Sequence, residues 1–437
     1  MRSAWVRGAG ALLTTAALVM TSACSADSGS DKTAAESGGK VNLTFWGWAP
    51  GYDKSVAAFN AAHPNIKVTF QKTASGSAGG YSKMLNAAKA GNAPCLAQVG
   101  YESLPSFAAA GALENVAKYA DAVKGKYVDW TWKAVSVQDQ VYGIPLDTGP
   151  EAMFYRADVL KKFKQPVPTT WKQFAEVGKA IHKADPNVYL TTPPSDGYDF
   201  AGLTWQAGGR WFGTEGGTWQ VSIDNPQSRK VAAYWQDLHD AKVLKNTPAL
   251  DTAWIADADK GHIVSYVGAV WANTLLSQNL KASAGKWAVA PMPQWEEGGK
   301  AAGNNGGSST AVLKGCKNPK EAVEFADWFS SNTQSAENLI KNTGIYPAAT
   351  DALSLPAVNQ TSEFFGGQNI YDVFKEAAAN TDTNWQWGPT MTQVEADFTD
   401  GMKKANSGGG SFADALTGTQ SKTISAMKAQ GLTASGS

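Results

Sequence analysis

The stretch VNLTFWGWAPGYDKSVAAFNAAHPNIKVTF (Val41–Phe70) holds the pattern that decides the fold. Apolar residues alternate over its first five positions and again over IKVTF, and this period of two predicts a strand at each end. Between the strands, Val56 and Phe59 share one helical face and Pro64 ends the helix. A second helical pattern at 80–91 and the apolar run PCLAQVG at 94–100 extend the series to βαβαβ. That order implies a parallel sheet with right-handed crossovers.

Two tryptophans, Trp46 and Trp48, stand at the end of the first strand of this series. Ligands of open parallel sheets bind outside the carboxyl ends of the strands. The other two strand ends of this kind fall at 73–75 and 100–102. We therefore expect the indoles at a ligand site on the rim of the sheet. The alternative is that they cap the sheet against a neighbouring helix.

Helix starts recur further along the chain. Thr170, Asn225 and Asn318 are predicted N-caps, because each stands before a run with helical spacing and two of them precede a proline at the first helical position. Apolar residues at helical spacing over 391–402 predict one more helix near the end. The chain therefore alternates strands and helices, which is typical of an α/β protein.

The first 40 residues have the layout of an export signal followed by a spacer. Arg2 and Arg7 form a basic start, an apolar run occupies 10–20, and small residues at 21–23 precede Cys24. A cysteine in this place resembles a bacterial lipoprotein box. The resemblance implies a signal peptide at 1–23, a lipid on Cys24 and a lipidated flexible tether at 24–40. The alternative is ordinary signal cleavage, in which the cysteine has no role.

The composition favours a large, neutral protein that is rich in aromatic residues. The 437 residues carry 38 basic and 38 acidic side chains, so the net charge is zero. Because there is also no basic stripe, nucleic acid is not expected as a partner. The roughly 400 residues after the spacer are too many for one ordinary core, so we expect two lobes. The 17 tryptophans suit a site for flat, partly apolar, hydroxyl-rich ligands.

Several stretches, taken together in their order and spacing, resemble the extracellular solute-binding proteins of ABC importers. Within that class they resemble the large carbohydrate-binding family that includes maltose-binding protein. The stretches are LTFWGW, PCLAQVGYESLPSFAAAGAL, YGIPLDTGPEAMFYRADVL, PTTWKQF, GLTWQAGGRWF, YVGAVWAN, GNNGGSSTAVLKGCKNPKEAVEFADWF and GIYPA. The resemblance implies an α/β, two-lobed periplasmic-binding-protein-like fold with a hinge, in which each lobe is a mainly parallel sheet flanked by helices. Lobe one would comprise 41–147 and 292–345, and lobe two 148–291 and 346–437.

Two cysteines remain in the mature chain, Cys95 and Cys316. An export signal makes a disulfide permissible, but the residues alone leave two buried thiols equally open. The resemblance implies that Cys95 starts the third strand and that Cys316 ends a strand running antiparallel beside it. It therefore favours a disulfide between them.

A sugar ring has an apolar C–H face and a hydroxyl edge, so its site needs aromatic plates together with carboxylates and amides. We expect stacking or hydrogen-bonding side chains at the first strand ends, at the hinge mouth, in the GLTWQ and GAVWAN stretches, at the glycine-rich crossing GNNGGSS, and in NWQWGP. The predicted ligand-binding residues are Trp46, Trp48, Glu102, Asp147, Tyr198, Asp199, Trp205, Trp271, Asn273, Gly307, Ser308, Trp385 and Trp387.

Some of these residues have a purely structural alternative. Asp147 could cap a turn, and Trp205 stands at helical spacing in a segment that could be core. Glu102 lies two positions beyond Gly100, where the family often has an aspartate, so its assignment is weaker. The glycine-rich GNNGGSS does not fit a phosphate loop, because no Lys–Ser/Thr pair follows in the required frame.

The function expected from these residues is that of a substrate-binding lipoprotein of a carbohydrate ABC transporter, which captures a di- or oligosaccharide in an aromatic cleft and delivers it to a permease. The protein would be a monomer, exported and lipid-anchored to the outer face of the cytoplasmic membrane, with no catalytic residue, metal or cofactor. The alternative is a secreted polysaccharide-acting enzyme such as a glycoside hydrolase, whose paired carboxylates any chain with 38 acidic residues could supply. The sequence has no G-x-S-x-G elbow and no H-E-x-x-H motif. A structural surface lipoprotein is a third possibility, but it would leave the aromatic residues unexplained.

Overall fold

A computed structural model describes residues 40–137 and 139–436 of the protein. The predicted signal peptide at 1–23, the lipidated Cys24 and all of the tether except Lys40 lie outside the described residues. Residues 40–436 belong to one compact unit. Within the described residues, no helix combines the length and apolar character needed to cross a membrane.

Strands and helices alternate along most of the described chain. The strands are β1 Val41–Gly47, β2 Ile66–Lys72, β3 Leu96–Gly100, β4 Ser136–Val137, β5 Gln140–Val141, β6 Gly143–Pro145, β7 Asp147–Thr148, β8 Glu151–Arg156, β9 Phe212–Glu215, β10 Thr218–Val221, β11 Ser265–Ala269, β12 Trp287–Pro291, β13 Ser308–Val312, β14 Tyr346–Pro347 and β15 Ala434–Gly436. The helices are α1 Tyr52–Ala62, α2 Tyr81–Lys89, α3 Leu104–Ala109, α4 Ala117–Ala120, α5 Asp129–Ala134, α6 Ala157–Lys162, α7 Trp171–Ala184, α8 Gly197–Gln206, α9 Pro226–Asp240, α10 Thr252–Lys260, α11 Ala272–Asn279, α12 Pro319–Ser331, α13 Thr333–Thr343, α14 Tyr371–Ala379, α15 Met391–Asn406 and α16 Phe412–Ala429.

The first sheet has the strand order β2-β1-β3-β13-β6. Strands β1, β2 and β3 are parallel, in the register Val41↔Ile66 and Phe45↔Leu96, so the predicted βαβαβ order is confirmed. Strand β13 runs antiparallel to both β3 and β6. The β1 side chains alternate between buried and partly exposed, whereas β3 is buried throughout, as expected for a central strand.

The second sheet has the order β11-β8-β12, and both outer strands are antiparallel to β8. The prediction of a mainly parallel sheet in each lobe is therefore wrong for this sheet. An apolar alternation identifies a strand but carries no information about its direction. The direction of a strand depends on the end of the sheet at which the chain re-enters it, and here β11 and β12 both run opposite to β8. A small third sheet pairs β10 antiparallel to β9 and parallel to β15.

Aromatic residues from helices α1 and α12 cover one face of the first sheet. The Phe45 ring of β1 packs edge-on against Phe329, with ring centroids 5.4 Å apart, and Phe59 packs against Phe325 at 5.0 Å. All four side chains are fully buried. Each such ring buries a large apolar area, so this cluster fixes the rim of β1, where the chain turns into α1.

All three predicted N-cap residues stand at the N-cap position, and two of them make the side-chain capping bond. The Thr170 side chain accepts a hydrogen bond from the Gln173 amide at the start of α7, and Asn225 accepts one from Ser228 at the start of α9. Asn318 also occupies the N-cap position of α12, before Pro319 as predicted, but its side chain makes no capping bond. Its backbone, at φ −129° and ψ 63°, lies outside the extended region that an N-cap residue normally adopts.

Three segments lie side by side, and we call them the crossing segments: residues 145–151 and 302–308, which connect the two sheets, and residues 343–348, which follow α13 and pair with the first. Strand β7 of the first pairs antiparallel with β14 of the third. The Asn305 amide donates to the Gly149 carbonyl at 2.8 Å, and the Asn304 side chain accepts from the Gly149 amide at 2.9 Å. A Cβ atom on Gly149 would lie 1.9 Å from the Asn305 oxygen, so only glycine allows this close backbone approach.

Cys95 and Cys316 flank the paired strands β3 and β13. The structure joins them by a disulfide, with Cα atoms 4.5 Å apart and a sequence separation of 221. The Leu313 amide also donates to the Cys95 carbonyl at 3.0 Å, so the backbone already holds the two strand ends together.

We expect removal of this disulfide to destabilise the fold, because the bond restricts a long loop in the unfolded chain. The double variant Cys95→Ala/Cys316→Ala should lose about 2–5 kcal/mol of unfolding free energy in urea denaturation. Reductant should lower the stability of the wild type and leave the double variant unchanged. Equal stability of the two proteins without reductant would contradict this expectation.

Candidate functional site

A cavity of about 400 Å³ lies where the carboxyl ends of β1 and β3 meet residues of α8 and the start of α11. We call it the first cavity. Strand ends from the first sheet supply one part of its wall, and helices α8 and α11, with the residue before each, supply another. Eight of the predicted residues line it: Trp48, Glu102, Asp147, Tyr198, Asp199, Trp271, Gly307 and Ser308.

Trp48 enters the cavity wall directly after β1 ends. Its ring packs edge-on against Tyr81 at a centroid distance of 5.7 Å, and its backbone amide donates to Gln98 Oε1 at 3.1 Å. Gln98 Nε2 in turn donates to Ser308 Oγ at 3.4 Å. Trp48 is therefore held by neighbours from α2 and β3 while part of its surface remains available to a ligand.

Glu102 is a buried carboxylate that follows β3. Its Oε1 atom accepts a hydrogen bond from Tyr81 Oη at 2.6 Å, whereas Oε2 is buried without a partner. A Cβ atom on Gly100 would lie 2.1 Å from Oε1, so glycine at that position lets the carboxylate fold back over the strand end. Burial raises the pKa of the Glu102 carboxyl to about 7.

Asp147 joins two crossing segments at the cavity wall. Its Oδ1 atom accepts from the Ser308 amide and from Ser308 Oγ, both at 2.7 Å. Burial raises the pKa of Asp147 to about 7, although both Ser308 bonds act in the opposite direction. These bonds join segments 161 residues apart, so they are structural but differ from the local turn cap of the alternative interpretation, and Asp147 also lines the cavity.

Helix α8 brings two further carboxylates to the wall. Asp196 is the N-cap of α8 and accepts from the amides of Tyr198 and Asp199 at 3.0 and 2.8 Å. Asp199 Oδ1 accepts from Asn305 Nδ2 at 2.7 Å. Burial, and then the charge of Asp196, raise the pKa of Asp199 well above its usual range.

Trp271 stands immediately before α11, with its half-buried ring on the cavity. Its Nε1 atom donates to the Asn305 carbonyl at 3.0 Å. A Cβ atom on Gly306 would approach that nitrogen to 3.3 Å, and one on Gly307 would lie 2.9 Å from the Tyr101 ring. Both glycines also have positive φ, at 83° and 86°. The glycine-rich crossing therefore lets the backbone pass close beneath the indole.

Five predicted residues do not line the first cavity: Trp46, Trp205, Asn273, Trp385 and Trp387. Lys83 Nζ lies over the Trp46 ring, 4.4 Å from its centroid. Trp46 and Trp48 would share a face on a continuous strand, but β1 ends at Gly47, so alternation does not extend to Trp48.

The other four have packing or hydrogen-bonding roles. Trp205 stacks on Trp385 at a centroid distance of 4.7 Å and donates from Nε1 to the Asp382 carbonyl at 2.7 Å. Trp387 lies at the edge of this pair and also contacts the Tyr198 ring, so the cluster supports a cavity residue from behind. Asn273 Nδ2 donates to the Gly344 carbonyl at 3.1 Å, which links α11 to the third crossing segment.

Several lining residues were missing from the sequence prediction, among them Tyr52, Tyr81, Gln98, Asp196 and Asn305. A signal existed for Asp196, because SDGYDF has the form of an N-cap followed by a helix start. Asn305 lies within the glycine-rich crossing that was already singled out. The two tyrosines and Gln98 carry no local signal, because their neighbours around the cavity come from distant parts of the chain.

The charged side chains that line the first cavity are all acidic: Glu102, Asp147, Asp196 and Asp199. Within the described part of the chain, no group of three or more His, Cys, Asp or Glu side chains could hold a metal ion. The site therefore offers hydrogen-bond acceptors and apolar rings, which suit binding of a polyhydroxylated ligand by its face and its edge.

The fold and this site define a solute-binding protein of the two-sheet α/β type. The family profile described as bacterial extracellular solute-binding protein matches residues 46–336, more than half of the chain. The chain belongs to this family, which is non-enzymatic. The predicted family is therefore confirmed, and the glycoside hydrolase alternative is wrong.

Two solved structures are similar over nearly the whole chain. The galacto-N-biose-/lacto-N-biose I-binding protein of the ABC transporter from Bifidobacterium longum, in complex with lacto-N-biose, is 31% identical with a TM-score of 0.81, over 92% of this chain and 100% of that chain. The ABC transporter associated binding protein from B. animalis subsp. lactis Bl-04, in complex with beta-1,6-galactobiose, is 28% identical with a TM-score of 0.82, over 90% and 99%. The lactose-binding protein of Rhizobium radiobacter is 28% identical over 253 residues, which are 55% of this chain and 58% of that protein.

We expect Trp271→Ala to weaken saccharide binding at least tenfold, which corresponds to about 1.4 kcal/mol. The substitution removes a ring that a sugar face would cover, and the melting temperature of the unliganded protein should change little because the ring is only half-buried. Titration calorimetry measures the affinity. The matched control is Trp46→Ala, also half-buried but outside the cavity, which should bind as the wild type does. Equal affinities for all three proteins would remove Trp271 from the site.

We also expect the unliganded protein to lose stability as the pH rises from about 4 to about 7. The carboxyls of Glu102 and Asp147 have a folded-state pKa of about 7, against about 4 in an unfolded chain. Between these values the folded state binds more protons than the unfolded state, so deprotonation favours unfolding. Urea denaturation at pH 5, 6 and 7.5 measures the slope. Glu102→Gln should reduce the dependence of the unfolding free energy on pH, and the exposed control Glu215→Gln should leave it unchanged. If Glu102→Gln kept the wild-type dependence, burial of Glu102 would not be its cause.

Proposed function

We propose that this protein captures a di- or oligosaccharide in the first cavity and delivers it to the membrane permease of an ABC importer. The observation that carries the proposal is the pairing of Trp48 and Trp271 across one cavity with four carboxylates. Trp48 follows a strand of the first sheet and Trp271 follows a strand of the second. A sugar bound between them would contact both halves of the site.

The chemistry of the wall supports a sugar in particular. Indole rings cover the C–H face of a pyranose, with a gain of about 0.5–1.5 kcal/mol per aromatic contact beyond the buried area. Carboxylates accept hydrogen bonds from the hydroxyl edge, and bonds to a charged group contribute about 1.5–3 kcal/mol each. Because the charged lining residues are all acidic, we expect a neutral or cationic saccharide rather than an anionic one.

We propose that residues 41–147 and 292–345 form one lobe and that 148–291 and 346–437 form the other. The strands of the first sheet fall within the first set, and β8, β11 and β12 fall within the second. The crossing segments would then act as the hinge, and the first cavity would close as the lobes approach. If the closed form is about 1% populated without ligand, about 5.5 kcal/mol of preferential binding would bring it to about 99%. Three or four ring contacts and one or two charged hydrogen bonds reach that value.

The proposed location follows from the amino-terminal sequence. A basic start, an apolar run and small residues before Cys24 support export and lipid attachment to the outer face of the cytoplasmic membrane. Stable anchoring takes about two acyl chains, since a single chain binds a membrane only marginally. We propose that the anchored protein acts as a monomer and that the permease transmembrane subunits are its partners.

A melting-shift screen tests the proposal. The probes are glucose and galactose, the disaccharides lactose, lacto-N-biose and β-1,6-galactobiose, and maltotriose. At least one di- or trisaccharide should raise the melting temperature and change tryptophan fluorescence, with no new reducing ends after prolonged incubation. The Trp271→Ala variant serves as the control for the site. No shift with any saccharide, while the protein remains folded by circular dichroism, would overturn the sugar-binding proposal.

A further inference from the structure

A cavity of about 250 Å³ borders the crossing segments and shares no lining residue with the first cavity, so we call it the separate cavity. Helix α14 and residues at the start of α5 complete most of its wall. The lining is mainly apolar and includes the Trp130 ring, Leu353 and two prolines. Pockets for small ligands begin at about 300 Å³. The separate cavity therefore suits a molecule with a single ring.

Two buried residues with unpaired hydroxyl groups line the separate cavity. Thr148 and Tyr346 stand directly opposite each other in the β7–β14 pair, so their side chains lie on the same side of that pair. Thr148 is 5% exposed and Tyr346 is 7% exposed, yet neither hydroxyl hydrogen-bonds another described residue. The other polar neutral lining residues, Asn304 and Thr381, are already bonded within the protein. Because buried polar groups normally have a partner, this pair of hydroxyls points to a polar group supplied by a ligand.

The charge of the separate cavity is opposite to that of the first. Lys375 is its one charged lining residue, exposed on α14, and it forms no ion pair with any described residue. The neighbouring acid on that helix, Glu376, already pairs with Lys300 at 3.4 Å. An anion that the acidic first cavity would repel is therefore attracted to this site.

We propose that the separate cavity binds a small aromatic carboxylate that carries a ring hydroxyl, of the size of 4-hydroxybenzoate. The ring packs against Trp130 and the apolar wall, where aromatic contacts favour a flat molecule. The carboxylate pairs with the Lys375 ammonium, and the ring hydroxyl bonds to the hydroxyls of Thr148 and Tyr346. This chemistry differs from that of the saccharide site, so the two ligands do not compete for one space.

The crossing segments link the separate cavity to the first. The chain neighbours of Thr148 and Tyr346 are Asp147 and Ile345, and both of these line the first cavity. Successive side chains of an extended segment point to opposite sides, so a rotation of these segments that narrows one cavity widens the other. An aromatic acid in the separate cavity keeps that cavity wide and thereby favours a narrow first cavity, which should strengthen saccharide binding. This link, unlike the site itself, rests on the proposed function.

Titration calorimetry on the full mature chain tests the site without any saccharide. 4-Hydroxybenzoate should bind saturably with one molecule per chain. Benzoate and 4-hydroxybenzyl alcohol each lack one of its polar groups and should bind about tenfold more weakly. The variant Tyr346→Phe/Lys375→Gln should weaken 4-hydroxybenzoate binding at least tenfold. Its fold should persist, because the Tyr346 hydroxyl has no protein partner and Lys375 is exposed.

The same method tests the link to the first cavity. The affinity for lacto-N-biose, or for the screened saccharide with the largest melting shift, should rise about fivefold in saturating 4-hydroxybenzoate. By reciprocity the saccharide should raise the affinity for 4-hydroxybenzoate by the same factor. The variant Tyr346→Phe/Lys375→Gln should show neither effect at the same concentrations.

Two controls separate the possible outcomes. Tyr155→Phe/Lys260→Gln changes a half-buried tyrosine and an exposed lysine outside both cavities and should bind 4-hydroxybenzoate as the wild type does. Trp271→Ala should also keep that affinity, since the acid does not occupy the first cavity. No saturable binding of 4-hydroxybenzoate, or undiminished binding in Tyr346→Phe/Lys375→Gln, would overturn the site and leave sugar binding intact. Binding with unchanged saccharide affinity would overturn the link. Binding of the acid by a protein that binds no saccharide would overturn the proposed function while the site stands.

Discussion

Two hydrogen bonds from Ser308 to Asp147 Oδ1 tie together the first and second crossing segments, and the shape of the first cavity depends on them. The Asp147 carboxyl group is buried, and both of its bonds come from Ser308, one from the backbone amide and one from Oγ, so replacement of the serine by alanine would leave the amide as its one remaining partner. Breaking such an arrangement costs more than forming it contributes. These bonds therefore hold the wall of the first cavity at the point where the chain passes from one sheet to the other.

Side-chain alternation in the crossing segments gives them two different faces. Asp147, Asn305 and Ile345 line the first cavity. Their chain neighbours Thr148, Asn304 and Tyr346 line a separate cavity of about 250 Å³. A small rotation of these backbones would thus change both spaces together.

The buried acidic side chains at and behind the first cavity lower the stability of the unliganded fold. Glu151, buried behind the first cavity, has an Oε2 atom without a hydrogen bond, and burial together with Asp199 and Asp196 raises its pKa well above the usual range. Glycines at 202 and 303 leave the space that its carboxyl group occupies. Binding sites commonly break local rules of packing and charge, with the surrounding structure compensating for the loss. Here the aromatic core beneath β1 and the pairing of β3 with β13 provide that support.

The sequence by itself determined the strand–helix–strand order of residues 41–100, the N-caps Thr170 and Asn225, and the strand ends that carry Trp48 and Glu102. These features depend on neighbours within a few residues, and such periodicity and capping are encoded locally. Only the tertiary structure decided the antiparallel second sheet and the division of the tryptophans between cavity and core. Trp271 and Trp205 look alike in sequence, but one packs against a glycine-rich backbone at the cavity and the other stacks on Trp385. The difference arises from contacts between residues far apart in the chain, which no local pattern records.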